Sequence, residues 1–346
     1  MLAIRTTRLF DGERFSNGAT TVLIDDGRIL GLQRGFPYPG EGWQLLDAGD
    51  ATVLPVLIDT HVHLVADSGD GALDRVAGYT DDELDAVMTQ GLQRHLAAGV
   101  TTVRDLGDRR FSAVDRRDRQ RRGAPRAPRA PEPTILAAGP PLTSPGGHCH
   151  YMGGEAADRD GLGRAIDERV RRRVDVVKVM ASGGMSTPGT DVMRTQFSTD
   201  DVRFAVDRAH AAGLPVTAHA HGLPAVEQAL EVGVDGIEHC SCLTDKGIEL
   251  TDALLDTLAR SGVAVGGALS GLRHAASFYV EAGAQPAEAL AASTSLAAEV
   301  CGIGDRKGLL RKGYDADVIV VDGDLQTDIE ALGRVRTVVL GGTALP

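Results

Sequence analysis

The sequence predicts an α/β protein: an incomplete, TIM-like (β/α) barrel with seven recognisable strands, and a small β-sandwich domain formed by both ends of the chain. Three observations lead to this fold class. Helical stretches that end in glycine are followed at once by short β-branched runs, and such runs recur seven times between residues 51 and 269. The two ends of the chain instead alternate polar and apolar residues. Helices that alternate with strands favour a parallel sheet covered by helices.

The two ends of the chain are predicted to form one small domain, made of residues 1–50 and 313–346. The segments TTVLIDDGRILGLQRG and GYDADVIVVDGD alternate polar and apolar residues and turn at Asp-Gly pairs, as antiparallel hairpins do. The barrel then occupies residues 51–312, which is close to the usual length of a (β/α) barrel.

The seven strand candidates of the barrel are ATVLPVLID, VTTVRDL, PTILAAG, VDVVKVMAS, LPVTAHA, GVDGIEH and VAVGGAL. Several of the helical stretches between them end in glycine, as in HLAAGV, HAAGLP, LEVGVD and LARSGV. A glycine in the left-handed conformation ends a helix and lets a strand begin immediately. No further β-like run occurs from residue 270 to residue 300, so the eighth strand of a complete barrel is missing.

Composition excludes several classes of protein. The chain has 346 residues and a net charge of −12, and it contains no run of about 18 uncharged apolar residues that would suggest a membrane span. An arginine-rich stretch at residues 109–129 is interrupted by acids and prolines, so we interpret it as a solvated helix face and a loop rather than a nucleic-acid surface. Four cysteines are too few for a disulfide framework. We therefore expect a cytoplasmic protein that acts on a small molecule and binds neither nucleic acid nor membranes.

Seven of the ten histidines follow strand candidates. Residues i and i+2 of a strand share one face, and the active sites of barrels lie at the carboxyl ends of the strands. Any one of these histidines alone would more often be structural, but neutral imidazole is the commonest metal ligand, and their concentration predicts a metal site. They are His61 and His63 after the first strand, His148 and His150 after the third, His219 and His221 after the fifth, and His239 after the sixth.

Lys178 lies within the apolar strand VDVVKVMAS, where an unpaired ammonium group is costly to bury. Two solutions are open. The side chain can reach the surface or a carboxylate, or the neutral amine can take up carbon dioxide and become a carbamate. A carbamate is an anionic oxygen ligand that is able to bridge two metal ions.

Several segments together resemble the amidohydrolase superfamily, and within it the prolidase-like and imidazolonepropionase-like branch. These segments are THVHL, GVTTVRDLG, SPGGHCHYMGGEA, VVKVMASGG, VTAHAHG, GIEHCS and GYDADVIVVD. The resemblance covers nearly the whole chain and implies a barrel with one or two divalent ions, usually zinc, at the strand ends. His61 and His63 would bind one ion, His219 and His239 would bind the second, and Lys178 would bridge the two ions as a carboxylated lysine.

The reaction that the resemblance implies is the hydrolysis of an amide, dipeptide or cyclic amide bond by metal-activated water. His221 would polarise the carbonyl group of the substrate, or it would only orient its neighbours through a hydrogen bond. His148 would contact the carboxylate or another polar end of the substrate, and His150 is a further candidate for this contact.

The chain departs from the family after the seventh strand. Relatives carry an aspartate in a GTDAG-like turn at the end of the eighth strand, which contacts a metal ion and moves a proton to the leaving nitrogen. This chain lacks that segment. His274 is the nearest titratable residue and is a candidate acid and base, or else an ordinary residue at a helix start.

Because general acid–base catalysis is typically worth a factor of about 10²–10⁴, the loss of the aspartate keeps two alternatives to hydrolysis open. One is a non-hydrolytic Lewis-acid enzyme that carries out a cyclisation, dehydration or decarboxylation in a biosynthetic pathway. The other is an inactive, metal-binding relative.

The missing segment also predicts self-association. A barrel of seven strands leaves unpaired backbone groups on its first and last strands, and folded proteins cover such edges. Either the residues after Leu269 fold across the gap, or a second subunit covers it. We expect a homodimer or a higher homo-oligomer.

Overall fold

The computed structural model describes residues 1–69, 71–122, 130–267 and 275–345. Within these ranges the strands are β1 (Leu2–Phe10), β2 (Phe15–Asp25), β3 (Arg28–Arg34), β4 (Gln44–Pro55), β5 (Leu57–Val62), β6 (Val100–Asp105), β7 (Thr134–Ala137), β8 (Val177–Met180), β9 (Val216–Gly222), β10 (Gly236–Thr244), β11 (Gly247–Ile248), β12 (Ala264–Gly266), β13 (Val318–Val321), β14 (Val335–Leu340) and β15 (Thr343–Ala344). The α-helices are α1 (Ala72–Arg75), α2 (Asp81–Ala97), α3 (Ser112–Arg121), α4 (Arg159–Arg171), α5 (Thr199–Ala211), α6 (Leu223–Val232), α7 (Asp252–Ser261), α8 (Ala275–Glu281), α9 (Pro286–Ser293) and α10 (Ser295–Val300).

Both ends of the chain meet in one seven-stranded sheet with the order β15-β14-β13-β4-β1-β2-β3. The long strand β4 joins the two ends, because its first part pairs in parallel with β1 and its last part pairs antiparallel with β13. The hairpin of β2 and β3 turns at Asp26 and Gly27, whose φ angles of 46° and 70° are the left-handed pair that such two-residue turns require. The two ends therefore share a sheet, whereas the sandwich form and the boundaries at residues 50 and 313 stay predictions.

Seven parallel strands follow one another in the order β5, β6, β7, β8, β9, β10 and β12, and each overlaps one of the seven segments that the sequence predicts, although β5, β9 and β10 extend beyond theirs. They form two sheets, which the chain after β7 connects. Leu142 donates its N–H to the carbonyl group of Lys178 on β8, and Met180 donates to the carbonyl group of Leu142, both at 2.8 Å. No pairing joins β12 to β5 among the described residues, so the barrel is not closed there.

Four glycines end helices and lead into strands, as the sequence predicts. Gly99, Gly213, Gly233 and Gly262 follow α2, α5, α6 and α7, and their φ angles are 80°, 73°, 74° and 73°. A strand begins one to three residues after each glycine. Because all these strands run in the same direction, their carboxyl ends gather at one side of the barrel.

The helices bury an apolar stripe against the strands. Helix α2 begins after Thr80, which forms a capping box with Glu83, and its buried side chains are spaced four residues apart. These side chains are Leu84, Met88, Leu92 and Leu96. Among the described residues, no helix has both the length and the apolar character that a membrane crossing needs.

Only part of the arginine-rich stretch is the solvated helix face that the sequence suggested. Helix α3 buries Arg116 and Arg117, whose side chains are 2% and 1% exposed. Arg116 pairs with Asp85 at 2.8 Å and with Glu132 at 2.5 Å, and Arg117 pairs with Asp175 at 2.6 Å. These carboxylates come from three distant segments, so the arginines tie α3 to its neighbours. Residues 123–129 of the stretch lie outside the described residues.

Candidate metal centre

Six histidines come together at the carboxyl ends of the parallel strands. β5 and the residue after it supply two of them, β9 supplies two, β10 supplies one, and the chain after β7 supplies the sixth. Neighbouring rings lie 4.3–5.4 Å apart between centroids, in the series His63, His61, His239, His221, His219 and His148. The sequence therefore predicted correctly that histidines separated by up to 178 positions would converge.

Three of these histidines lie close enough together to hold a metal ion. His219, His221 and His239 offer ring nitrogens that all lie within 4.8 Å of one another. The ring of His219 can only donate to a carbonyl oxygen, so its Nε2–H donates to Gly183 at 3.1 Å and its Nδ1 stays free to bind an ion. The sequence assigned His221 to the substrate carbonyl, whereas the structure groups it with the two predicted ligands.

The position of His239 depends on an irregular strand. Its φ of 69°, with 48° for Cys240 and 51° for Cys242, lies in the left-handed region that residues other than glycine rarely adopt. The pairing of β10 with β9 also loses its register between His239 and Leu243. Successive side chains of a regular strand point to opposite faces, but here Glu238 and His239 both contact the same neighbour, the ring of His61. The distorted backbone therefore directs two adjacent side chains into the site.

Lys178 is buried in the wall of the barrel. Its side chain is 1% exposed, and its Nζ has no hydrogen-bond partner among the described residues. Burial and, to a smaller extent, the guanidinium of Arg104 lower the pKa of Lys178 to about 8, against the opposing charge of Glu238. A buried amine that gives up its proton easily has the reactivity that carbamate formation requires.

Glu238 is a buried acid that sequence reasoning missed. Its Oε1 accepts hydrogen bonds from Thr217 Oγ1 at 2.7 Å and from Arg104 Nη2 at 3.1 Å. Its Oε2 lies 3.0 Å from Nδ1 of His61. Burial raises the pKa of Glu238, but the neighbouring His61, Lys178 and Arg104 outweigh it and hold the pKa below its ordinary value. The only signal was its place in GIEHCS, beside a predicted ligand.

His63 is oriented by the neighbouring strand. Its Nδ1–H donates to the carbonyl group of Gly107 at 2.8 Å, which leaves Nε2 free. Asp105, which is fully buried, accepts the backbone N–H groups of Leu64 at 2.7 Å and of Gly107 at 3.0 Å. This carboxylate therefore ties the segment that carries His63 to the end of β6. The sequence contained it in GVTTVRDLG, where its role was not recognised.

The sequence pattern of the amidohydrolase family matches residues 52–263 and 251–345, which together are most of the chain. The chain belongs to the amidohydrolase family. It is 29% identical to the imidazolonepropionase of Salinispora tropica over 255 residues, which cover 66% of this chain and 58% of that protein. The chain thus spans less than two thirds of the length of this curated relative.

Solved structures agree with this assignment. A prolidase complexed with N-methylphosphonate-L-proline is 25% identical, has a TM-score of 0.81 and covers 99% of both chains. The ochratoxinase of Aspergillus niger is 22% identical with a TM-score of 0.79, over 99% of this chain and 94% of that chain, and it shows the fold alone. The resemblance to the prolidase-like and imidazolonepropionase-like branch is confirmed.

Burial lowers the pKa values of the six histidines of the series, which are therefore neutral near pH 7. Burial lowers the pKa of His63 to about 3 and that of His148 to about 4. It lowers the pKa of His239 to about 2 and that of His219 well below 6.5. Neutral imidazoles can bind a cation without first losing a proton. Together with the unpaired amine of Lys178, this set of donors fits divalent metal ions.

The two histidines that the sequence predicts to bind the substrate lie in different surroundings. His148 is buried beside His219, with ring centroids 4.6 Å apart, and its Nδ1 lies 2.8 Å from Oγ1 of Thr187. His150 is half-buried, and the ring contact recorded for it is with Tyr151 at 5.6 Å, outside the histidine series. The predicted acid and base His274 lies outside the described residues.

Proposed function

We propose that this amidohydrolase is a metal-dependent hydrolase of an amide, dipeptide or cyclic amide bond. The observation that carries the proposal is the convergence of neutral histidines of β5, β9 and β10 beside the buried amine of Lys178, which is near enough to lower the pKa values of His61, His219 and His239. The family supports the reaction class, and the imidazolonepropionase and prolidase relatives support amide or cyclic amide substrates.

The chain offers ligands for two ions, and zinc suits such nitrogen donors. His219, His221 and His239 would hold one ion, and His61 and His63 would hold the other. Lys178, once carboxylated, would contact both. A divalent ion in such a site polarises a carbonyl group and lowers the pKa of water, so that hydrolysis can proceed near neutral pH.

The other polar side chains then have roles around the substrate. His148 is fixed by Thr187 and Gln196 at the edge of the histidine series, where it would bind the polar end of the substrate. His221 has Nδ1 at 2.9 Å from Oγ of Ser241, so it is held in place whether it binds an ion or polarises the carbonyl group. The four cysteines are free, which supports a cytoplasmic location.

The proposal is tested by an assay for free amine on a panel of dipeptides, N-acyl amino acids and cyclic amides. We expect amine release that a chelator abolishes and zinc restores. His219→Ala should lose both the activity and bound metal, whereas His210→Ala, on the outer helix α5, should keep both. Amine release that survives complete metal removal would refute the proposal.

One observation favours a second candidate, the non-hydrolytic Lewis-acid enzyme. Glu238, whose carboxylate contacts His61 of the histidine series, already accepts hydrogen bonds from Thr217 and Arg104. After β12 the structure describes Gly267 and then resumes at residue 275. A proton carrier for a leaving amine is therefore not evident among the described residues. Substrate consumption without amine release by the metal-loaded protein would support this candidate.

A further inference from the structure

We propose that Glu238 is a positioning residue that keeps the proton of His61 on Nδ1 and thereby leaves Nε2 free for a divalent ion. The inference rests on the proposed metal site and adds a residue to it. Histidine ligands usually have such a partner on their second ring nitrogen, because it fixes the ring and its tautomer.

The contact with Glu238 favours a proton on Nδ1 of His61. Oε2 of Glu238 lies 3.0 Å from Nδ1 of His61, and the two side chains are 1% and 9% exposed, so little water can screen them. The contact does not have the geometry of a hydrogen bond. Even so, an unprotonated Nδ1 carries partial negative charge and would repel a carboxylate oxygen at this distance, whereas an N–H group on Nδ1 is attracted to it. The tautomer with hydrogen on Nδ1 is therefore the favourable one.

Side chains from two other strands hold the carboxylate of Glu238 in place. Thr217 on β9 and Arg104 on β6 both donate to its Oε1, which leaves Oε2 as the oxygen that faces His61. Arg104 is in turn fixed by the carbonyl group of Thr60, at 2.8 Å from its Nε. The carboxylate thus has a defined orientation before any ion binds, which is what a positioning residue needs.

The adjacent strand leaves space for this carboxylate. Gly266 on β12 faces Glu238, and a Cβ atom at position 266 would overlap Oε2. A larger residue would therefore displace the oxygen that contacts His61. The simpler alternative is that Glu238 only neutralises Arg104, and that alternative predicts no effect on the tautomer of His61.

The first test reads the tautomer of His61 by ¹⁵N NMR of the metal-free protein, with the His61 signal assigned by its absence in His61→Gln. We expect Nδ1–H in the wild type and a shift towards Nε2–H in Glu238→Gln, whose amide can donate to Nδ1. Glu227→Gln makes the same chemical change on the exposed face of α6 and should leave the spectrum of His61 unaltered.

The second test is a titration with Co²⁺ or Zn²⁺. His61→Gln should remove one of the two binding events, and Glu238→Gln should weaken the affinity of that same event by about 10- to 100-fold. The other binding event, which His219→Ala removes, should keep its affinity in Glu238→Gln. If Glu238→Gln does not fold, Thr217→Val serves instead, because it is isosteric and removes only one hydrogen bond to the carboxylate of Glu238. We then expect a smaller loss of metal affinity.

An unchanged tautomer together with unchanged affinity in these variants would overturn the inference. So would a structure of the metal-loaded protein in which Glu238 binds the ion directly. If the wild type cannot be loaded with any divalent ion, the proposed function fails, while the tautomer comparison still decides the role of Glu238.

Discussion

Lys178 is the residue whose chemistry matters most to the proposed site, because a buried amine without a partner is unfavourable unless it reacts or binds. We expect Lys178→Ala to lower the metal content per chain and the activity together, and added bicarbonate should restore neither. Lys246→Ala, which removes an exposed lysine, is the matched control. Full activity and full metal content in Lys178→Ala would show that the lysine is structural.

His95 offers a test of electrostatics away from the metal site. Its Nε2 lies 3.5 Å from Oδ2 of Asp59, and its Nδ1–H donates to the carbonyl group of Gly91 at 2.8 Å. Burial lowers the pKa of His95, but Asp59 and Gly91 outweigh it and leave the pKa above 6.5. A folded-state pKa above the unfolded value stabilises the protein below the unfolded pKa, and this contribution is lost as the pH rises through the folded pKa.

We therefore expect His95→Gln to lower the free energy of unfolding most at pH values below about 6.5, and progressively less above it. Urea unfolding of the wild type and the variant across this range measures the difference. A difference that does not change with pH would contradict the interaction between His95 and Asp59.

At the level of single residues, the convergence of the histidines could be predicted, because the strand ends of a parallel barrel meet wherever they lie in the chain. This rule brings His61 together with His239. It could not identify Glu238, since its partner Arg104 is 134 positions away. Nor could it show that His150 lies outside the histidine series.

At the scale of elements, glycine-to-alanine substitutions distinguish a glycine that permits close packing from a glycine that only weakens a helix. Gly154, in the connection between β7 and α4, packs so closely that a Cβ atom would overlap the carbonyl oxygen of Pro141. Gly91, inside helix α2, has no atom within 4 Å of the position of an added Cβ. We expect Gly154→Ala to destabilise the protein by about 1–3 kcal/mol or more, and Gly91→Ala to stabilise it by about 0.5–1 kcal/mol.

Thermal or urea unfolding measures both changes, and each variant is the control for the other. Equal effects of the two substitutions would mean that the close approach of Gly154 to Pro141 is not maintained in solution.

Features of the helices that depend on nearby residues, such as helix ends, were predicted well from the sequence. Features that depend on distant residues, such as the burial of one helix face, were predicted poorly. The glycines after α2, α5, α6 and α7 set helix ends through their own conformation, so a short pattern is sufficient. Arg116 and Arg117 appeared to belong to a solvated face because their partners, among them Asp85 and Asp175, come from other segments. Long-range ion pairs leave no periodic trace in the sequence.

At the scale of the whole molecule, the open side of the barrel exposes apolar surface. None of the ten residues of α7 is buried, although Leu254 and Leu258 pack partly on the core. Ile248, Leu255 and Val265 on β11, α7 and β12 are 74%, 45% and 50% exposed. These elements lie beside the end of the parallel sheet where no further strand is described. A second subunit would cover both the strand edge and these side chains.

We therefore expect the homodimer predicted from the sequence to use this side. Light scattering should show a dimer for the wild type, and Val265→Asp should shift it towards a monomer. Leu30→Asp, at an exposed apolar residue of β3 in the terminal sheet, should not. A monomeric wild type would rule out this interface.

The measurement that tests the central claim most directly is the metal content of the purified wild-type protein, by elemental mass spectrometry and by anomalous scattering from its crystals. We predict one or two divalent ions per chain, with nitrogen-to-metal distances of about 2.1 Å at His219, His239 and their neighbours. If only one ion is present, the position at His61 and His63 should be the empty one. A protein that contains no divalent ion and cannot be loaded with one would contradict the account.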